Sequence, residues 1–157
     1  FRRVLFRSRK SGFTLIEIIM VLAIIVVIGT ISLPRFDRVI EDYKLKTDAR
    51  QVAWVLRSTR QEAIISGDTQ KVLFKPNLNC YIKYGKTHTT YALSRNIIFP
   101  PYEYSFDDSA GYPVCGFAPS GAVKPRAGQI TLKNKYDKKI TVVVNPSAGR
   151  VRIQELD

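Results

Sequence analysis

Three groups of residues in this chain have the types and spacing to do chemistry. The first is a single carboxylate, Glu17, set inside an otherwise uncharged run from Phe13 to Leu33, with Gly12 directly ahead of it. A carboxylate in hydrocarbon costs a few kcal/mol and is kept where it is paired or functional. The second group is cationic. Arg150 and Arg152 are two apart, so in a strand they share one face about 6.6 to 6.8 Å apart. Lys133, Lys135, Lys138 and Lys139 surround the turn before them. Such a patch attracts polyanions by counterion release, without sequence preference and with strong salt dependence. The competing reading is a solvated sheet edge protected by its charges against aggregation. The third group is Cys80 and Cys115, the two cysteines. In an oxidising compartment an even count favours one disulfide, and two buried thiols are the alternative.

Catalytic chemistry finds no support. His88, the one histidine, sits in the polar stretch Thr87-His88-Thr89-Thr90, away from any cysteine at metal-ligand spacing. No nucleophile motif or phosphate-cradling glycine loop is present. Asp107 and Asp108 are adjacent and point different ways in an extended chain, which suits a solvated turn better than a calcium site. Trp54 falls on a helical pattern and reads as a core or interface anchor. A non-enzymatic binding protein without cofactor or metal is expected.

The elements that must carry these residues begin with the apolar run. From Phe13 to Leu33 there are 21 residues, about 31 Å as a helix, enough to cross a bilayer core. Basic residues precede it and a mostly polar chain follows, so the short head stays in the cytoplasm and the remainder is exported. The small residue of an ordinary cleaved signal follows its apolar region, whereas Gly12 precedes this one. After Pro34 the apolar residues become periodic: Val39, Tyr43, Ala49, Val52, Ala53, Leu56, Ala63 and Ile64 recur mostly three and four apart. The helix should therefore continue to about Ser66, end on a left-handed cap at Gly67, and bend or melt locally at Gly29 or Pro34.

From Gln70 the period becomes two. Gln70 to Lys75 and Cys80 to Tyr84 predict a hairpin around Pro76-Asn77-Leu78-Asn79. Tyr91 to Leu93, Ile97 to Phe99 and Tyr102 to Phe106 are weaker strand patterns, interrupted by Pro100 and Pro101. Residues 86–113 read as a variable loop. Gln129 to Asn134, Lys139 to Asn145 and Arg150 to Gln154 form a meander in which Val151 and Ile153 face the core. The fold class is α+β, a long amino-terminal helix packed on antiparallel sheet. Of 25 basic and 13 acidic residues, five basic ones precede Gly12 and Glu17 lies in the span, leaving 20 basic and 12 acidic beyond it. Residues 35–157 are enough for one small domain.

Arg9-Lys10-Ser11-Gly12-Phe13-Thr14-Leu15-Ile16-Glu17 resembles the type III signal of type IV pilins and type II secretion pseudopilins. The resemblance implies that a prepilin peptidase cuts between Gly12 and Phe13, N-methylates Phe13, and leaves the span as an assembly helix. It implies that Glu17 neutralises the Phe13 amino group of a neighbouring subunit and sets axial register, and that Pro34 is the helix-kinking proline. Residues 1–12 would be the leader, 13–34 the membrane and assembly helix, and 35–157 the exported domain. Arg2 to Ser8 resembles translated sequencing-adapter sequence, a reading that would make residues 1–8 artefactual and leave Arg9 to Gly12 as the native leader. Phe117-Ala118-Pro119-Ser120-Gly121 and Gly149-Arg150-Val151-Arg152-Ile153 are similar to the carboxy-terminal pattern of GspH/FimT-type minor pseudopilins. The implied location is the bacterial inner membrane, single-pass, with the carboxy-terminal domain in the periplasm and later in a pseudopilus or pilus. The implied partners are the peptidase, other pilins and secreted proteins. In FimT-type members a Gly-Arg-x-Arg motif is associated with extracellular DNA.

Overall fold

A single helix, α1, is assigned over Leu15–Ser66 in the computed structural model of this chain. The structure describes the backbone of residues 12–85, 87–109, 111–146 and 149–156, and the side chains of all of these but 31–35, 108, 109 and 156. The chain divides into two compact units, one ending at Asp37 and one from Arg38 onward. The expected leader, residues 1–11, lies outside the described residues.

In the first unit α1 opens on a local cap. Thr14 Oγ1 accepts from the Glu17 backbone N–H at 3.3 Å and the Thr14 carbonyl from the same N–H at 3.1 Å. Thr-x-x-Glu is capping spacing, and Glu17 in the first turn also suits the positive end of the helix dipole. Beyond it, Ile18 to Ile28 is rich in β-branched residues, poor helix formers in water. The helix assigned over them pairs their backbone N–H and C=O groups within the segment. Every large apolar side chain from Phe13 to Ile28 is at least 50% exposed. The helical backbone is unbroken through Gly29 and Pro34, so the expected local melting is not seen. Among the described residues no helix is long and apolar enough to cross a membrane; side-chain description stops at Thr30 and resumes at Phe36.

In the second unit α1 has two faces. Leu45, Ala49, Val52, Ala53, Val55, Leu56 and Ala63 are fully buried. Val39, Tyr43 and Ile64, expected on that stripe, are exposed together with Ile40, Trp54 and Ile65. At 100° per residue these exposed positions, Ile64 excepted, gather on the side opposite Leu45 and Leu56. The helix ends as expected: Gly67 has φ +72° and its N–H donates to the Ala63 carbonyl at 3.1 Å.

Nine strands follow in the described residues: β1 (Gln70–Lys75), β2 (Cys80–Tyr84), β3 (Thr89–Ala92), β4 (Asp107–Ser109), β5 (Tyr112–Phe117), β6 (Val123–Lys124), β7 (Gln129–Lys133), β8 (Lys139–Val144) and β9 (Val151–Leu156). One antiparallel sheet has the order β3-β2-β1-β5-β4 with β6 on β5, and a second has the order β7-β8-β9. One hydrophobic core joins the buried face of α1 to both sheets. The first hairpin and the meander lie where the alternation puts them, the hairpin turn being a short 3-10 helix at Pro76–Leu78.

The middle of the chain departs from expectation. Residues 86–113, read as a loop, contain β3, β4 and the start of β5 and bury Ile97, Phe99 and Phe106. Ile97 to Phe99 and Tyr102 to Phe106 are not strands; they contribute single bridges, Ile98 to Lys133 and Tyr104 to Ile130, that tie this segment along β7. β5 is an inner strand of the larger sheet, with β1 on one side and β4 and β6 on the other, and is buried from Pro113 to Phe117. Burial on both faces removes the alternation that marks a strand. Gly116 within it answers to close approach: a Cβ there would lie 2.6 Å from the Lys124 carbonyl oxygen of β6.

Candidate functional site

Gly12, Phe13 and Thr14 form an exposed, non-helical segment just ahead of α1. Phe13 is 81% exposed. A Cβ added at Gly12 would meet nothing within 4 Å. Among the described residues nothing in the fold calls for glycine at that position. The Glu17 carboxylate, one turn into the helix, has no side-chain partner among the described residues.

At the other end of α1 the structure builds a cationic cleft of about 490 Å³, lined by Arg57, Arg60 and Gln61 from the helix and by Gly149, Arg150, Val151 and Arg152 from the entry to β9. Arg57 Nη2 donates to the Val151 carbonyl at 3.0 Å, and Arg60 Nε to the Gly121 carbonyl at 3.1 Å. Arg60 is thereby held between two glycine turns. Gly121 and Gly149 have φ of +79° and +56°. A Cβ at Gly149 would run into the Gly121 carbonyl and the Arg60 side chain, and one at Gly121 would come within 3.1 Å of Arg60 Nη2. These turns need glycine for both handedness and space. Arg57, Arg150 and Arg152 are exposed, and no carboxylate pairs with any of the four arginines among the described residues.

Residues 7–33 match the model of the prokaryotic N-terminal methylation motif. Prepilin peptidase-dependent protein A of Clostridium perfringens (strain 13 / Type A) is 36% identical over 80 residues. That alignment takes in 48% of this chain and 57% of the relative, so the chain spans little more than half the length of the curated relative it matches. The minor pseudopilin EpsH from the type 2 secretion system of Vibrio cholerae superposes with a TM-score of 0.55 at 16% identity, covering 71% of this chain and 97% of that one. The type IV minor pilin FimU of Pseudomonas aeruginosa (strain PAO1) superposes with a TM-score of 0.54 at 13% identity, covering 74% and 91%. The chain carries a prepilin methylation motif on a minor-pseudopilin fold.

For this pseudopilin fold the expected basic patch splits in two. Arg150 lies one residue before β9 and Arg152 within it, both lining the cleft. The four lysines lie at the opposite end of the smaller sheet, because Lys139 pairs with Lys133 and with Leu156, whereas Arg152 pairs with Val143. Four residues of strand separate the ends, roughly 13 Å. Three of the lysines are also neutralised. Lys133 pairs with Asp137, Lys138 with Asp42 at 3.1 Å and Lys139 with Glu103 at 2.6 Å, while the Lys135 ammonium stands 5.1 Å from the Tyr136 ring centroid. The hydrogen bond and charge of Asp137 hold the Lys133 ammonium above its ordinary pKa, and Lys133 holds Asp137 below its own. Ile153, expected in the core, is 37% exposed, leaving Val151 as the inward residue of that pair.

The expected Cys80–Cys115 disulfide is not formed; both thiols are free. Cys80 pairs with Lys75 on β2, and Cys115 pairs with Val72 on β5. The strands flank β1 about 9.6 Å apart, beyond the ~7 Å Cα separation a disulfide can bridge. Their β1 partners also face opposite sides, Val72 buried and Lys75 not. Burial pushes the Cys115 thiol up to about 12. Among the described residues no three His, Cys, Asp or Glu side chains gather as a metal site.

Sequence reasoning missed the polar contacts on the buried face of α1. Glu41, 2% exposed, accepts from Lys44 Nζ at 2.9 Å and Asn96 Nδ2 at 3.2 Å. Asp48, 3% exposed, accepts from the Ser94 backbone N–H at 2.8 Å and its hydroxyl at 2.9 Å. Both carboxylates pin the segment entering the bridge to β7. The Lys44 hydrogen bond lowers the Glu41 pKa against the effect of burial, whereas desolvation raises Asp48 despite its Ser94 bonds. Their sign in the sequence was a carboxylate at a core-facing helical position, at Glu41 and Asp48, flanking Leu45.

Proposed function

We propose that this chain is a minor subunit of a type II secretion pseudopilus or type IV pilus. Prepilin peptidase cuts between Gly12 and Phe13 and methylates the new amino group. The helix of residues 13–34 then holds the subunit in the bacterial inner membrane with residues 35–157 in the periplasm, and later packs among the helices of other pilins. Glu17 pairs there with the Phe13 ammonium of a neighbour. Assembled near the filament tip, the domain contributes to protein secretion by contacting other minor subunits and exported proteins. No step calls for catalysis by this chain.

The observation that carries the reading is the exposed Gly12–Phe13 segment leading into a helix that is apolar on every side, its large apolar side chains at least half exposed among the described residues. A helix of that kind is buried in lipid or among other helices. Its one carboxylate then needs a cationic partner from another chain. The test is Glu17→Val in cells carrying the peptidase and the filament system. The variant is expected to be inserted and cleaved yet depleted from sheared or cross-linked filaments. Incorporation equal to the wild type would remove Glu17 from the assembly step.

A further inference from the structure

Four guanidiniums converge on the cleft between α1 and the entry to β9 with no acid among the described residues to offset them. Like charges so gathered repel, and the arrangement gains from an anion placed among them. We propose that this cleft docks an acidic peptide segment, a short run of Asp and Glu side chains from another protein, and that Arg57, Arg60, Arg150 and Arg152 receive its carboxylates.

Residue type supports this choice. All four cations are arginine, whose planar fork matches a carboxylate or phosphate in two parallel hydrogen bonds, where lysine offers a point charge. Arg57 and Arg60 each spend one N–H on a backbone carbonyl, Val151 and Gly121 respectively. Those bonds fix the two guanidiniums and leave most of their five donors for a ligand. Such preorganisation lowers the ordering cost of binding. Arg150 and Arg152 supply the exposed side of the cleft.

Extent decides between a peptide and a nucleic acid. A duplex presents a phosphate charge for about every 1.7 Å of its axis and is held by a long track of cations. Here the track thins. Arg50 stands alone two turns before Arg57 on the helix, about 10 Å away, and Lys46 beyond it holds Glu155. Lys133, Lys138 and Lys139, roughly 13 Å along the sheet, already hold Asp137, Asp42 and Glu103. A cleft of about 490 Å³ with four arginines suits a few carboxylates better than a continuing polyanion. The assembly reading suggests that such a segment belongs to a neighbouring filament subunit, but binding itself is independent of cleavage or assembly.

The experiment uses the full chain in neutral-detergent micelles with fluorescently labelled hexaglutamate, read by anisotropy at low and moderate salt. The competitors are unlabelled oligothymidine of equal charge and inorganic phosphate. Wild type should bind hexaglutamate, and the Arg150→Gln, Arg152→Gln pair should weaken it about tenfold or more, in keeping with the loss of two charge-assisted contacts. Arg57→Lys, which keeps the charge but loses the fork, should also weaken it. Lys133→Gln with Lys139→Gln should leave affinity unchanged. Unaltered thermal unfolding of each variant guards against loss of fold. Absence of hexaglutamate binding, or equal weakening by the lysine pair, overturns the site. Tighter, arginine-dependent binding of oligothymidine assigns the cleft to nucleic acid and overturns the peptide proposal.

Discussion

The two halves of α1 differ in what their own chain does for them. From Leu15 to Ile28 the large apolar side chains of the helix lie on every side and are at least 50% exposed, and its carboxylate, Glu17, has no side-chain partner among the described residues. From Arg38 to Ser66 the helix has one apolar face buried against two sheets, and its carboxylates Glu41 and Asp48 are hydrogen-bonded to Lys44, Asn96 and Ser94. The second half is a component of a folded domain. On the proposed reading the first half is an interface whose surface and single charge are met by neighbouring subunits.

That contrast can be broken most sharply by truncating one leucine in each half. Leu56→Ala empties a fully buried site and should cost about 2–5 kcal/mol of domain stability. Leu22→Ala, on the exposed run, should leave thermal unfolding of the domain unchanged. Equal effects would mean that the first half also packs within its own subunit. A smaller effect is expected at the glycines. Gly149→Ala places a side chain against the Gly121 carbonyl at positive φ and should cost about 1–3 kcal/mol, whereas Gly12→Ala should not move the unfolding temperature. The smallest is electrostatic. The folded pKa of Glu41 is lowered, so its ionised form stabilises the fold above the ordinary carboxylate range, and that contribution is lost as pH falls through the lowered value. Glu41→Gln should therefore flatten the fall in Tm between about pH 5 and pH 3. A wild-type slope in the variant would place the acid sensitivity elsewhere, since raised-pKa Asp48 acts with the opposite sign.

Much of this fold was legible because it obeys simple periods. The helix end at Ser66 and Gly67, the β1–β2 hairpin and the β7–β8–β9 meander each follow from spacing and turn residues. What was not legible depends on neighbours distant in sequence. β5 has no alternation because both its faces are covered, and Pro113 and Gly116 disguise it further. Residues 97–106 are fixed by single bridges to β7 and by three buried apolar side chains rather than by a ladder. Helical spacing alone placed Val39 and Tyr43 on the core stripe, when only contact with the sheets decides which of two apolar faces is inward. The cationic patch was half visible: Arg150 and Arg152 were found two apart, but sheet register sends the lysines to the far end and brings Arg57 and Arg60, some ninety residues earlier, into their place. Cys80 and Cys115 looked like a pair because composition says nothing of which strands carry them.

Mass spectrometry of the amino terminus tests the central claim most directly. The chain would be isolated from membranes of cells with an active prepilin peptidase, beside Gly12→Val, at a position where an added Cβ meets nothing within 4 Å. The account predicts a wild-type chain beginning at N-methylated Phe13 and an uncleaved variant. A wild-type chain that keeps its leader, one cut beyond the apolar run, or a Gly12→Val chain processed normally would contradict the assignment of Phe13 as the mature, assembly-competent terminus.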